Sequence, residues 1–245
     1  MHIKKLSNFL NESRNLHLEH VEDSVFESGK EIREALRFLA SLRNMLTGNE
    51  TSGMNLTVKW DGAPAIFCGT NPENGKFFVG TKSVFNKDPK INYTAADIRK
   101  NHGGGLADKL EVALKYLKKL NIKTVLQGDM MFTSDDIVKK KIDGSSYLTF
   151  TPNTITYAIP EKSLLGRKIA KSKIGIIFHT EYKGDTFETM KASFAPVLKL
   201  TKPAGVWYDD ATFKDHSGTV TLSVNESSKF DKEFELAKKT FLKQK

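Results

Sequence analysis

Apolar residues at helical spacing run through the first part of the chain. They predict a short amphipathic piece over residues 5–12 and one or two helices over residues 17–46. The apolar positions of the longer segment are Val21, Val25, Phe26, Ile32, Leu36, Leu39, Leu42 and Leu46. The polar stretch 47–54, TGNETSGM, then predicts a hinge. Residues 1–54 are therefore predicted to form a helical N-terminal segment.

From residue 55 the pattern changes to short apolar runs separated by turn residues. Strands are predicted at 56–60, 65–69, 76–82, 123–132, 154–159, 173–182, 206–210 and 219–224. Helical spacing returns at 94–101, at 106–120 and, near the end of the chain, at about 228–243. We therefore predict an α+β fold of mostly antiparallel sheets with flanking helices. Its main domain spans residues 55–225, and residues 226–245 form a C-terminal helix.

The charge is unevenly distributed along the 245 residues. The net charge is +9, from 38 Lys and Arg against 29 Asp and Glu. Residues 1–58 carry 7 basic and 8 acidic residues, so the whole excess belongs to residues 59–245. Of the basic residues 32 are lysines, which suit phosphates approached as point charges. A nucleotide or nucleic-acid partner is expected for this part, although a lysine-rich surface that only maintains solubility would have the same composition.

Several classes of protein are excluded by composition. The single cysteine, Cys68, permits neither an internal disulfide nor a cysteine-cluster zinc site. No apolar run approaches the ~20 residues that span a bilayer, and the N-terminus lacks the apolar core of a signal peptide. We therefore expect a cytoplasmic protein with no membrane partner.

The segment Lys59-Trp60-Asp61-Gly62 carries the most chemistry. A lysine becomes a nucleophile only after its ammonium group loses a proton, which nearby positive charge or burial promotes. A glycine beside it lets the backbone approach a ligand closely. Four residues also occur together by chance, and an exposed lysine before an Asp-Gly hairpin turn is the simpler interpretation of the segment alone.

This segment resembles motif I of the covalent nucleotidyltransferases, which include DNA ligases, RNA ligases and mRNA capping enzymes. In that family the motif lysine attacks the α-phosphate of a nucleotide and forms a lysyl-NMP. The resemblance covers about residues 55–210 and implies an ATP-grasp-like ligase core, with ATP or another NTP as substrate and Mg²⁺ as cofactor. It implies that Lys59 is the nucleophile, that Asp61 belongs to the catalytic motif, and that Trp60 and Gly62 contact the nucleotide.

Three further segments follow in the family's order. Lys82, in Gly80-Thr81-Lys82-Ser83, corresponds to a basic residue that contacts phosphate. Leu126-Gln127-Gly128-Asp129 resembles motif III, so Asp129, in place of the usual glutamate, would hold the ribose. Residues 176–184 resemble motif IIIa, in which Phe178 would stack on the base, with Tyr157 as a second candidate. The candidate Mg²⁺ ligands are Asp129, Glu181 and Asp209.

Motifs IV and V of the family have no clear match. Residues 204–207, AGVW, have the shape of motif IV without its glutamate, and Lys199 and Lys202 lack the spacing of motif V. Three functions therefore stay open. The protein transfers a nucleotide to a polynucleotide 5′ end, with RNA favoured over DNA. Alternatively, it binds nucleic acid or a partner without catalysis, or it transfers the nucleotide to a host protein.

The whole chain also resembles a family of T4-like tailed phages, through the segments HLEHVED, KWDGAPAIF and LQGDMMF. This resemblance implies expression in the cytoplasm of an infected bacterium. In the first of these segments, His17 and His20 share one helix stripe. They could bind a metal, pack over the nucleotide site, or belong to a polar helix start.

Overall fold

The structure, a computed structural model, describes residues 29–47, 57–194, 196–212 and 222–242. The chain divides into two compact units, residues 56–213 and a second unit that groups residues 1–55 with 214–245. The segments that were predicted separately as N-terminal and C-terminal helices thus belong to one unit. The predicted hinge boundary at residue 54 and the helical piece at 5–12 lie outside the described residues.

In the described part of the smaller unit there are two helices, α1 (Gly29–Leu46) and α5 (Val224–Leu242). The Arg43 guanidinium joins them by donating two hydrogen bonds to the Asp231 carboxylate, at 2.9 and 2.7 Å. The strand predicted at 219–224 is wrong in its described part, since α5 begins at Val224. Ser223 and Glu226 explain the difference, because the backbone N–H of each donates to the side chain of the other, as in a capping box.

The larger unit is built on a six-stranded sheet with the order β2-β1-β3-β7-β8, in which β9 also pairs with β7. The strands are β1 (Ala65–Thr70), β2 (Phe77–Gly80), β3 (Val125–Thr133), β7 (Ile174–Lys183), β8 (Lys191–Phe194) and β9 (Val206–Asp210). All neighbours are antiparallel except β7 and β9, which are parallel. The prediction of an α+β fold with mostly antiparallel pairing is confirmed.

The sequence pattern predicted one strand of a second, three-stranded antiparallel sheet, at 154–159, and missed the other two. This sheet comprises β4 (Val138–Ile142), β5 (Ser145–Phe150) and β6 (Tyr157–Pro160). Asp143 and Gly144 join β4 to β5 with φ values of 47° and 77°. Positive φ at both positions is the geometry of the type I′ hairpin turn that an Asp-Gly pair favours. The Asp-Gly pair was therefore a usable signal for this hairpin.

Three helices complete the larger unit: α2 (Ala95–Asn101), α3 (Gly104–Leu117) and α4 (Leu164–Ala170). The prediction of a helix over 106–120 is confirmed, with its last residues, Lys118–Leu120, forming a 3₁₀ turn. The buried side chains of α3 pack against one face of the six-stranded sheet, which we call the helix-covered face. Its core includes Leu110, Leu117, Ile66, Cys68, Leu126, Ile176 and Phe178.

The opposite face of the sheet, which we call the site face, is only partly covered. Met131, Phe132 and Ile177 pack there against Leu148 and Phe150 of the small sheet and Ile169 of α4. Further along β3, the positions on this face are the half-buried polar residues Gln127 and Asp129. The helix-covered face is therefore buried through its centre, whereas the site face has two half-exposed polar positions on β3 between the buried residues Val125 and Met131.

Candidate functional site

A loop over residues 57–64, which we call the Lys59 loop, crosses from the end of β9 to β3. Val58 N–H donates to the Ala211 carbonyl at 2.7 Å, and Ala63 N–H donates to the Met130 carbonyl at 3.0 Å. Lys59 lies between these two anchors and is exposed. The strand predicted at 56–60 is wrong in its described part, because only an isolated bridge from Thr57 to Thr212 forms there.

Gly62 brings this loop against the strand that carries Asp129. A Cβ atom on Gly62 would lie 2.5 Å from the Cβ of Asp129 and 3.0 Å from the sulfur of Met131. Contacts between Cβ atoms at that distance do not occur, so a glycine is required for the loop to lie on β3. The two segments with the strongest family resemblance, KWDG and LQGD, are therefore in contact.

Asp61 holds the loop from the other side. Its carboxylate accepts hydrogen bonds from the Asn153 amide, from the Thr154 hydroxyl and backbone N–H, and from Ile155 N–H, at 2.7–2.8 Å. These donors, the Thr154 hydroxyl first and the Asn153 amide next, hold the pKa of the Asp61 carboxyl well below its usual range. Because both oxygens are engaged, the geometry assigns Asp61 to positioning the loop, in place of the catalytic contact predicted for it.

Trp60 and Tyr157 complete this anchor. The Tyr157 hydroxyl accepts a hydrogen bond from Asp61 N–H at 2.9 Å. The Tyr157 ring lies 5.6 Å from the ring of Trp60 and also 5.6 Å from that of Phe150, measured between centroids. Trp60 and Tyr157, which were predicted to contact the nucleotide, thus pack against each other and join the Lys59 loop to β6.

A bulge in β7 adds a residue that the sequence analysis did not single out. Gln127 pairs with Thr180 and Gly128 pairs with Phe178, so His179 is an extra residue between the two pairs. A bulge turns two consecutive side chains toward the same face. His179 accordingly lies beside Asp129, with 3.8 Å between its Nε2 and Oδ1 of the aspartate, and its Nδ1 lies 2.7 Å from the Thr180 hydroxyl.

Asp129 and His179 are both accessible from solvent. The side chains of His179 and Asp129 are 23% and 22% exposed. Their separation of 3.8 Å is too long for a direct hydrogen bond but allows a charge interaction when the imidazole is protonated. A polar His-Thr pair directly after the apolar run IGIIF was the sequence signal for this arrangement.

Two predicted site residues require correction. Phe178 is fully buried in the core of the helix-covered face, so it cannot present its ring to a base. Glu181 pairs with Leu126, whose side chain belongs to that same core, and therefore projects to the side of the sheet opposite Asp129. Its carboxylate accepts a hydrogen bond from the Thr124 hydroxyl at 2.9 Å and pairs with Lys183 at 2.8 Å.

Lys82 and Asp209 lie at the margins of the site. Gly80 pairs with Phe67, which places Lys82, two residues further on, at the end of the sheet where Ala65 pairs with Asp129. Ile177 of β7 pairs with Asp209 of β9 on one side and with Asp129 of β3 on the other. Two strand spacings, about 10 Å, therefore separate these two aspartates.

The three predicted Mg²⁺ ligands do not fit one site. Glu181 is on the other face, and Asp209 is two strands away from Asp129. Within residues 29–47, 57–194, 196–212 and 222–242, no three His, Cys, Asp or Glu side chains are grouped so that they could hold a metal ion. His17 and His20, whose role was left open, lie outside the described residues.

The chain belongs to DUF6267, a family of unknown function whose model matches residues 15–245. Comparison with curated proteins and with solved structures finds no match. Among the described helices, none combines the length and the apolar composition that crossing a membrane requires.

Proposed function

We propose that this protein is a ligase-like nucleotidyltransferase that forms a lysyl-NMP at Lys59. The observation that supports this proposal is the position of the Lys59 loop. The loop is hydrogen-bonded at both ends and lies against Asp129 at Gly62, so that the exposed Lys59 belongs to a segment fixed on the strand that carries Asp129. The resemblance of KWDG and LQGD to motifs I and III of the nucleotidyltransferases supplies the reaction, and the contact between the two segments supports it.

The proposed reaction begins with the neutral amine of Lys59. Its nitrogen attacks the α-phosphorus of ATP or another NTP, and the bond from that phosphorus to the bridging oxygen of the β-phosphate breaks. Pyrophosphate leaves with the electron pair, and the nitrogen gives up a second proton as the phosphoramidate forms. The nucleotide then passes to the 5′-phosphate of a polynucleotide, for which RNA is favoured over DNA.

Other residues of the site would bind and orient the nucleotide. Asp129 would accept a hydrogen bond from a ribose hydroxyl, as the motif III resemblance implies. Lys82, exposed at the same end of the sheet, would interact with phosphate as a point charge. Since the predicted Mg²⁺ ligands do not converge, no step of the proposal passes through the metal.

The proposal is tested by incubating the protein with α-³²P-labelled ATP or GTP and Mg²⁺ and then denaturing it. Label bound to the wild-type protein and absent from Lys59→Ala is the expected result. An intact mass increased by one AMP or GMP would identify the base. Lys140→Ala, a change at an exposed lysine of β4, is the matched control and should retain the label. Absence of label on the wild type, or full labelling of Lys59→Ala, would refute the proposal.

A second function, nucleic-acid or partner binding without catalysis, is favoured by the dispersed carboxylates. It predicts salt-sensitive oligonucleotide binding without a lysyl-NMP. If the label forms, assays on nicked duplex DNA, on 5′-phosphorylated RNA and on host proteins distinguish the acceptors. The proposed setting for all three functions is the cytoplasm of a phage-infected bacterium.

A further inference from the structure

The edge strand β9 borders a cleft of about 770 Å³. All five residues of β9 line it, although alternate side chains of a strand point to opposite faces of a sheet. The cleft therefore follows the edge of the strand itself. Each of these five residues is half-buried, whereas β7, inside the sheet, is almost completely buried.

The backbone of β9 has hydrogen-bonding groups directed into this cleft. Ala211 N–H donates to the Phe178 carbonyl, and the Gly205 carbonyl accepts from Ile174 N–H, so these two residues face β7. Such groups alternate between the two edges of a strand, and those of Val206 and Tyr208 therefore face away from β7. Among the strands of the described residues, β9 pairs with β7 alone.

The other residues that line the cleft are both apolar and basic. Leu164 and Leu165, at the start of α4, are 74% and 40% exposed. The lysines that line the cleft, Lys168, Lys171 and Lys202, are exposed and have no carboxylate partner within the described residues. The aspartates of the cleft accept backbone hydrogen bonds, Asp209 from Asp210 N–H and Asp210 from Thr212 N–H.

We infer that this cleft binds an extended acidic peptide, which adds a strand to the edge of β9 that faces away from β7. The backbone groups of Val206 and Tyr208 on that edge match the main chain of a peptide, and exposed leucines match its alternate apolar side chains. Three lysines match acidic residues between them. The lining rings are unsuited to stacking on nucleobases, because Trp207 packs on Phe132 and the Tyr208 hydroxyl donates to the Leu200 carbonyl.

The probe for this inference is a fluorescein-labelled peptide of sequence EVDLEVD, titrated with the full-length protein and followed by fluorescence anisotropy. We expect saturable binding that weakens at least about tenfold in the double variant Lys168→Glu/Lys171→Glu. Leu164→Ser should also weaken binding, because it removes an apolar contact for the peptide. Leu164 is exposed, so this change should leave the fold intact. The matched control, Lys140→Glu/Lys141→Glu, makes the same charge change on β4 and should bind as the wild type does.

The strand geometry is tested on the peptide itself, so that it does not depend on how a variant folds. Two peptides are compared, one N-methylated at its odd-numbered residues and one at its even-numbered residues. One of them should lose binding and the other should bind nearly as the unmodified peptide does, because only one set of N–H groups faces β9. Equal effects of the two methylation patterns would overturn the inference. The inference would also be overturned if the unmodified peptide did not bind, or if the control variant lost as much affinity as Lys168→Glu/Lys171→Glu. Binding of a fluorescein-labelled oligo(U) in place of the peptide would overturn it as well.

Discussion

The two faces of the six-stranded sheet are made by the same strands but serve different purposes. On the helix-covered face, residues such as Leu126, Met130 and Phe178 are buried against α3. On the site face, Gln127 and Asp129 of β3 remain half-exposed next to His179. The difference arises from strand alternation together with one bulge. It shows that within the segment FHTE, Phe178 and Glu181 lie on one face of the sheet and His179 on the other.

The largest effect is expected from the helix-covered face. Phe178→Ala should destabilise the protein by about 3–5 kcal/mol, because it removes a fully buried ring from a packed core. Chemical denaturation measures this change. If the variant kept wild-type stability and bound nucleotide more weakly, Phe178 would belong to the site face, and the assignment of the two faces would be refuted.

The next effect concerns the contact between the Lys59 loop and the site face. Gly62→Ala places a methyl group 2.5 Å from the Cβ of Asp129 and should force the loop away from β3. The expected cost is about 1–3 kcal/mol, together with loss of the lysyl-NMP label.

Gly105→Ala is the control for this change, because a Cβ at Gly105 meets no atom within 4 Å. It should preserve labelling and leave stability unchanged or raised by up to about 1 kcal/mol. Equal labelling of the two glycine variants would show that the loop does not need its contact with Asp129.

A third effect depends on pH and tests the anchor of the same loop. The donors around Asp61 lower the pKa of its carboxyl, so the carboxylate contributes stability above about pH 4 that is lost as the pH falls toward the lowered value. Asp61→Asn has no such group. Its melting temperature should be lower than that of the wild type at neutral pH, and the difference should narrow below about pH 4.

Circular dichroism melts at several pH values measure this narrowing. Asp185→Asn, at an exposed turn position, should follow the wild type throughout. A difference between Asp61→Asn and the wild type that is constant down to about pH 2 would mean that the hydrogen bonds to Asp61 do not depend on its charge.

Sequence periodicity predicted the parts of the fold in which local pattern and packing agree. The helix over 106–120 and the strands at 65–69, 123–132, 173–182 and 206–210 are present within a few residues of their predicted ends. The basic run at 139–141 concealed the β4–β5 hairpin, because edge strands tolerate lysines that interrupt the apolar alternation. The parallel pairing of β9 depends on tertiary contacts that no local pattern records.

The candidate site was predictable in its segments but not in its geometry. The glycines and carboxylates of KWDG and LQGD marked the segments that the structure brings into contact. The bulge at His179 changes which residues of β7 share a face with Asp129. A count of alternate positions therefore could not assign Phe178, His179 and Glu181 correctly.

The smallest effect is expected from Glu181, in contrast with Asp129. Glu181→Gln keeps an oxygen that can accept the Thr124 hydrogen bond and loses only a partly exposed ion pair with Lys183, at a cost of about 0–1 kcal/mol. Since Glu181 is on the opposite side of the sheet from Asp129, lysyl-NMP labelling of the Glu181→Gln variant should stay within about twofold of the wild type. Asp129→Asn removes the carboxylate of the residue on which the Lys59 loop lies and should lower labelling at least about tenfold. An equal loss in both variants would mean that the two carboxylates act on one ligand, which the separation of the faces does not allow.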